Sequence, residues 1–431
     1  MVAAGISISW GVALERGGGL GVMGFPGIYF GTRCLIQGDD PYDVRQLQSV
    51  YDAAGFSAPA SVALRQSANL YVNLPATFLL VAPFAVLPLA AAQTLWLALL
   101  IGSFLLASFL MWSLAKAYSP PVALLLSFIM LANCEIIFSG GNTAGLVVSL
   151  CVISVWCFLQ ERHIAAGIVC LAVGLAVKPH DAGLIWLYFI LADRVQRGRA
   201  LKALGLSLFL GLTATLWVTQ VAPHWVPELR SNLATISGPG GINEPGPTSI
   251  GVDSPDMIID LQTVVSIFAD DPKIYNTTTY VVCAALFAAW SVAVLRFSRS
   301  PQNAWFALVS GAALSMLVTY HRSYDAKLLL LAIPACATLW ARRGVVAWTS
   351  LLLTTAGIVF TADIPLAVLL RSTRNLHSPS ASFAWNVLTA VLTRPAPLIL
   401  FAIVVFYLAV SVRQARSSAV GSHDRLTGTV S

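Results

Sequence analysis

The chain has 431 residues, 57% of them hydrophobic and only 10% charged, where an ordinary soluble domain carries about 25% charged residues. That balance excludes a soluble globular domain and requires an integral membrane protein. The formal charge of +6 reports how basic residues are shared among loops; no basic block with interleaved aromatics is present, which excludes nucleic acid as a partner.

Residues 1–23 open on Met1–Leu14, mostly apolar and ended by Glu15 and Arg16, shorter than the roughly 17 residues a span requires. They read as a truncated first transmembrane helix, with the true start expected upstream, and they lack the basic n-region and cleavage site of a signal peptide. Leu74–Leu89 is short and carries Pro75, Pro83 and Pro88. It reads as re-entrant or partly embedded, which leaves the loop 24–90 on the outer side.

Eleven apolar stretches follow: Ala91–Leu114, Pro121–Phe138, Ala144–Leu159, Ile164–Val177, Ala182–Ala192, Leu201–Val221, Thr279–Leu295, Ala304–Thr319, Leu328–Trp340, Val345–Thr361 and Val387–Val412. They predict an all-α, polytopic bundle over residues 24–412. Within the outer loop 223–278, Ser237–Pro255 is dense in Gly and Pro and should be flexible. Met257–Phe268 sets Ile258, Leu261, Val265 and Phe268 on one helical face, which suits a helix lying on the membrane surface or one packed on the bundle. Residues 413–431 read as a cytoplasmic tail, polar and disordered after Ser417.

Lys and Arg mark cytoplasmic loops. They gather at Arg194, Arg197, Arg199 and Lys202, at Arg296 and Arg299, at Arg342 and Arg343, and at Arg413 and Arg416. Alternation then puts Ser139–Asn142, Lys178–Asp181, Pro223–Thr278, His321–Asp325 and Ala362–Asn386 outside. Six cysteines lie in or beside apolar segments and read as small buried hydrophobes, while Cys34 falls in a polar loop. No Cys/His spacing points to a structural metal.

The outer segments collect Arg33, Asp39, Asp40, Tyr42, Asp43, Asn142, Lys178, His180, Asp181, His321, Arg322, Tyr324, Asp325 and Lys327. Cations on this side run against the positive-inside bias, and a charge at the hydrocarbon centre costs ~2.5 kcal/mol or more, so the clustering points to a shared site. The chemistry that fits is a lipid phosphate held by Arg, Lys and His beside a carboxylate that takes a proton from an acceptor hydroxyl. Arg322, Lys178, Lys327 and Arg33 are the candidate phosphate ligands. Asp40 and Asp39 are the candidate bases, with His321 the competitor, and Tyr42, Asn142, His180, Tyr324 and Asp325 are placed around the substrate. Plain structural roles remain open: Lys178 can pair with Asp181, Lys327 with Asp325, and Asp40-Pro41 can simply start a turn.

In order and spacing these segments resemble the polyprenyl-phosphate-sugar-dependent glycosyltransferases of the GT-C superfamily, in particular a bacterial mannosyltransferase-like family. The resemblance runs from about Phe25 to Trp340 and is carried by the aromatic entry Phe25–Tyr29, the Gly-x-Asp-Pro-Tyr loop Gly38–Tyr42, the embedded segment from Leu74-Pro75 to Pro83-Phe84 leading into Trp96, Gly141-Asn142, Lys178-Pro179 and His321–Tyr324. It implies a GT-C-type bundle, a catalytic carboxylate in the first outer loop, inversion at the sugar, a polyprenyl-phosphate-linked donor (often mannose) and a lipid or glycan acceptor. It also implies a multi-pass location in the bacterial inner membrane among membrane lipids, with no metal and no cofactor. Relatives tend to show Asp just before the aromatic entry, where this chain has Gly24. Asp39 or Asp40 must then substitute, the site is rearranged, or the protein is an inactive lipid-binding relative. A transporter is the other alternative, disfavoured because the polar residues sit at loop ends on one face and no internal repeat is evident.

Overall fold

The computed structural model describes residues 2–16, 24–55, 70–247, 258–297, 301–362 and 382–427. Among these the chain is helical, with one isolated antiparallel bridge between Ile258 and Arg322. It runs through α1 (Val2–Arg16), α2 (Phe25–Gln37), α3 (Val44–Ala53), α4 (Ala76–Ala85), α5 (Leu89–Ala115), α6 (Pro120–Ala132), α7 (Glu135–Ser139), α8 (Thr143–Leu159), α9 (Ile164–Val177) and α10 (Pro179–Ala192). It continues through α11 (Arg194–Val221), α12 (Trp225–Ser237), α13 (Gln262–Val265), α14 (Pro272–Phe297), α15 (Pro301–Val318), a 3-10 helix (Asp325–Leu331), α16 (Ala332–Trp340), α17 (Val345–Phe360), α18 (Phe383–Thr393) and α19 (Pro395–Thr427).

Among the described residues five segments are long and apolar enough to cross a membrane: Leu89–Ala115, Pro120–Ser139, Arg194–Val221, Pro272–Arg296 and Pro395–Gln414. Of the shorter apolar helices, Thr143–Leu159 and Gln302–Val318 are mostly buried. α9 and α10 have 14 residues each, about 21 Å at the helical rise, against a hydrocarbon core of about 30 Å. If their basic-side ends sit at the inner surface, Lys178, which joins them, lies below the outer one. α15 is central and packs against α10, α14 and α19, with the Trp290 indole N–H donating to the Ala307 carbonyl at 2.8 Å.

Several boundaries differ from the sequence reading for identifiable reasons. Val387–Val412 is two helices, because Pro395 has no N–H to continue a helix and drives Arg394 out of the α region (φ −129°, ψ 50°). Pro121–Phe138 is likewise broken at Asn133-Cys134. Leu328–Trp340 begins as the 3-10 helix. Cys34 is buried within α2, not in a loop. Residues 413–427 continue α19 where a disordered tail was expected; Arg413, Gln414 and Ala415 are good helix formers. Met257 lies outside the described residues; over 258–268 only Gln262–Val265 is helical, and Ile258, Ile259 and Leu261 are buried against the bundle, not laid on a surface helix. Part of the Gly/Pro-rich loop is also anchored, with Asn243 N–H donating to Ile236 O at 2.8 Å.

The aromatic entry is fixed where the sequence placed it. Phe25 stacks on Trp96 with ring centroids 5.2 Å apart, and the Trp96 indole N–H donates to the Gly141 carbonyl at 2.6 Å. A Cβ at Gly24 would stand 2.2 Å from the Gly140 carbonyl oxygen and 3.0 Å from Glu15 Oε2, so the position has no room for an Asp. Gly24→Asp should therefore destabilise the protein by at least the ~1–3 kcal/mol of an overpacked core, with a second carboxylate beside Glu15 adding to it. Thermal unfolding of the detergent-solubilised variant checks this; an unchanged midpoint would reject the packing described.

Candidate active site

Three segments far apart in sequence meet at one end of the bundle: the α9–α10 junction, the segment after α15, and the strap Ile258–Val265. Pro179 starts α10 and disfavours helical geometry at Lys178 (φ −142°, ψ 74°), so the two helices part there and the Lys178 side chain turns inward. Its ammonium lies 2.5 Å from Asp325 Oδ1 and 3.2 Å from Asp181 Oδ2, with both carboxylates fully buried. Asp181 Oδ1 faces His321 Nε2 at 3.1 Å and His180 Nε2 at 4.0 Å. The His180 and His321 rings meet edge to face, 4.9 Å between centroids.

The segment after α15 is folded by its own hydrogen bonds. The Arg322 N–H donates to Asp325 Oδ2 at 2.9 Å, and His321 Nδ1 lies 2.8 Å from the Thr319 carbonyl. The Arg322 guanidinium donates to the Tyr320 hydroxyl at 2.7 Å, to the Ile242 carbonyl at 2.9 Å and to Asn243 Oδ1 at 3.1 Å. Tyr324 places its ring 5.2 Å from the Lys178 ammonium. The strap closes over this from outside through Ile259 N–H to His321 O at 2.9 Å and Leu261 N–H to Leu317 O at 3.2 Å. It also brings Asp260, which sequence reasoning passed over. Burial pushes the Asp260 carboxyl up to about 7, against hydrogen bonds from Thr263 and Gln262 and the nearby His321.

Of the residues expected at a site, the structure thus gathers Lys178, His180, Asp181, His321, Arg322, Tyr324 and Asp325. Others lie apart. Lys327 is buried and donates to the Thr361 carbonyl at 3.1 Å; Arg33 donates to the Tyr29 hydroxyl at 2.8 Å and lines a separate outer hollow with Asp39. Asn142 caps α8 through Ala144 N–H at 2.9 Å. Asp43 caps α3, and Asp40 Oδ1 accepts from Tyr42 N–H at 2.8 Å, the turn chemistry its sequence suggests.

Asp40 nevertheless has a second partner. Glu228 of α12 lies close enough to interact with it, and its carboxyl is pushed up to about 7 by partial burial, by interaction with Asp40 and by the charge of Asp43. The same helix clamps the loop, because Asn232 Nδ2 donates to the Tyr42 and Tyr71 carbonyls at 3.0 and 3.1 Å. No sequence signal marks Glu228. Glu15 was equally missed: it is buried, accepts from Gln93 Nε2 at 3.2 Å, and puts a carboxylate beside Gly24 and Gly141.

An apolar groove of about 400 Å³ runs from this cluster into the membrane face. It is lined by His180 and Gly183 of α10, Tyr280 and Phe287 of α14, and Ser315 of α15, and ends at Thr319. Tyr280 and Phe287 are exposed on its outer rim.

The family model that matches this chain is "Glycosyltransferase family 87", over residues 71–319. The chain belongs to glycosyltransferase family 87. It is a membrane glycosyltransferase of GT-C type, acting between a sugar donor and an acceptor. The match covers Trp96, Gly141-Asn142, Lys178-Pro179, Asp181 and the strap, and stops just short of His321. No curated protein and no solved structure matches it.

Removing the central cation should strand two buried carboxylates. Lys178→Met is expected to lower stability by ~3–5 kcal/mol, the cost of breaking a buried ion pair, and Lys178→Met/Asp325→Asn should recover part of it. Unfolding midpoints for the two variants check this; additive losses would mean that Lys178 and Asp325 do not act as a pair.

Proposed function

We propose that this glycosyltransferase uses a polyprenyl-phosphate-linked sugar, with mannose the first candidate, and transfers it with inversion to a hydroxyl of a lipid or glycan acceptor at the outer face of the bacterial inner membrane. The observation that carries the reading is the groove of about 400 Å³ ending on His180 and Thr319. An isoprenoid chain fits its apolar walls, and a phosphate at its end would meet His180, behind which Lys178, Asp181 and His321 lie buried. The recessed position strengthens such contacts, since little water competes there.

In this reading the base takes the acceptor's hydroxyl proton, the oxygen attacks the anomeric carbon, and the bond to the phosphate breaks with its electron pair leaving on phosphate. Asp40 is the proposed base, with Asp39 next to it and His321 the competitor. Glu228 bears on this, because its carboxyl neighbours Asp40 and, once ionised, adds a negative charge that favours uptake of the acceptor's proton. As pH rises through about 7 Glu228 loses that proton, and Asp40 should become more effective.

Incubating the purified protein with radiolabelled polyprenyl-phosphate-mannose and membrane lipids tests the activity. Asp40→Asn should lower turnover about 10²–10⁴-fold; loss in His321→Ala with activity kept in Asp40→Asn would move the base to His321. The pH profile of kcat/KM should rise through about 7 in the natural protein and be flat there in Glu228→Gln, which mimics the protonated carboxyl permanently. A side chain at Gly183 would meet nothing within 4 Å, so Gly183→Trp should fold normally and fill the groove. Each displaced methylene is worth ~0.8 kcal/mol; KM for a long-chain donor should rise about tenfold or more and KM for a short-chain analogue stay put. Equal effects on both donors would remove the chain from this groove.

A further inference from the structure

We infer that His180, Asp181 and His321 form a binding site for a single divalent transition-metal ion. Their donor atoms all lie within 4.8 Å of one another. No spacing in the sequence announces the set, and the sequence reading expected no metal.

Three features set it apart from an ordinary polar cluster. A carbonyl oxygen can only accept, so the 2.8 Å contact with Thr319 O puts the proton of a neutral His321 on Nδ1 and leaves the Nε2 lone pair pointing at the Asp181 carboxylate, 3.1 Å away. Two electron-rich atoms at that distance repel unless a metal ion or a proton lies between them, and Lys178, on the other carboxylate oxygen, does not bridge the pair. A ring N–H held by a backbone carbonyl is also the arrangement that orients metal-bound histidines. Second, His321 Nε2 and both oxygens of Asp181 are completely buried yet lack an aligned hydrogen bond, although both side chains are fully enclosed. Third, the spacing suits one ion. With metal–ligand distances of about 2.0–2.2 Å, neighbouring donors stand roughly 3.0–3.5 Å apart, which the His321–Asp181 pair already satisfies. His180 must close from 4.0 Å, and its side chain, 36% exposed, is free to do so.

The surroundings fit as well. Lys178 holds the other oxygen of Asp181 and bridges it to Asp325. Counting these three groups with neutral histidines leaves one negative charge in excess, which a dication reverses. Two imidazoles and one carboxylate suit Zn²⁺, Mn²⁺, Co²⁺ or Fe²⁺ better than the oxygen-preferring Ca²⁺ or Mg²⁺. The competing cation is a proton on His321 Nε2. His180, the exposed member of the set, also lines the groove beside Thr319; that a phosphate reaches the ion from there rests on the donor proposed above, whereas metal binding itself does not.

The test is a titration of tag-free, chelator-stripped full-length protein in detergent with Co²⁺, followed by its visible ligand-field bands and by metal content after desalting. One ion per chain is expected, with affinity reduced about tenfold or more in His180→Ala and unchanged in His224→Ala, a histidine elsewhere. His180 lies at the edge of the cluster, so its loss should not disturb folding; His321→Gln, kept only if monodisperse, serves as the buried counterpart. Absence of Co²⁺ bands, or equal affinity in His180→Ala, would overturn the site. Metal binding without sugar transfer from polyprenyl-phosphate-mannose would sink the donor proposal and leave the site standing; transfer without metal binding would do the reverse.

Discussion

Lys178 is the hinge on which the outer end of this bundle depends. Two carboxylates, Asp181 and Asp325, are fully enclosed, and neither could stay ionised there without a cation at hydrogen-bond distance. Through that one ammonium the α9–α10 junction is tied to the segment after α15. Asp325 then organises its own segment through the Arg322 N–H, and Arg322 reaches across to Ile242 and Asn243 of the second outer loop. Three stretches of chain are thus linked by charge-assisted bonds where apolar packing alone would not orient them.

That linkage explains why the site is recessed and still reachable. α9 and α10 have only 14 residues each, and the cluster forms at the break between them with protein packed over it. The strap from Ile258 covers the outward side with two backbone hydrogen bonds, while the groove beside Gly183 opens sideways between helices. Around the first outer loop the logic differs. Asp40, Tyr42 and Glu228 are positioned by turn hydrogen bonds and by Asn232, and no hydrogen bond or ion pair joins Asp39 or Asp40 to the Lys178 cluster among the described residues.

Gly24 takes on a different meaning in three dimensions. As a sequence position it looks like a missing carboxylate. In the structure it permits contact with the Gly140 backbone, and Glu15 from α1 brings its own carboxylate alongside. Local reasoning compares residues at one position and cannot register that a neighbouring helix fills the same space.

The membrane class, the helical fold and most helix boundaries were legible in the sequence, because hydrocarbon demands long apolar runs and every backbone bond satisfied within the helix. The basic loops gave a sidedness, and the outer polar residues flagged Lys178, His180, His321, Arg322 and Asp325 as belonging together, since charge near lipid is costly enough to stand out. Which of them touch was decided only by tertiary structure. Lys327 and Arg33 carry the same charge and were equal candidates, yet one is directed at the Thr361 carbonyl and the other at Tyr29. Glu15, Glu228 and Asp260 carried no signal, because their character comes from burial and from partners distant in the chain. The convergence of His180 and His321 on Asp181 depends likewise on how α10 packs against α15, and no local spacing encodes that.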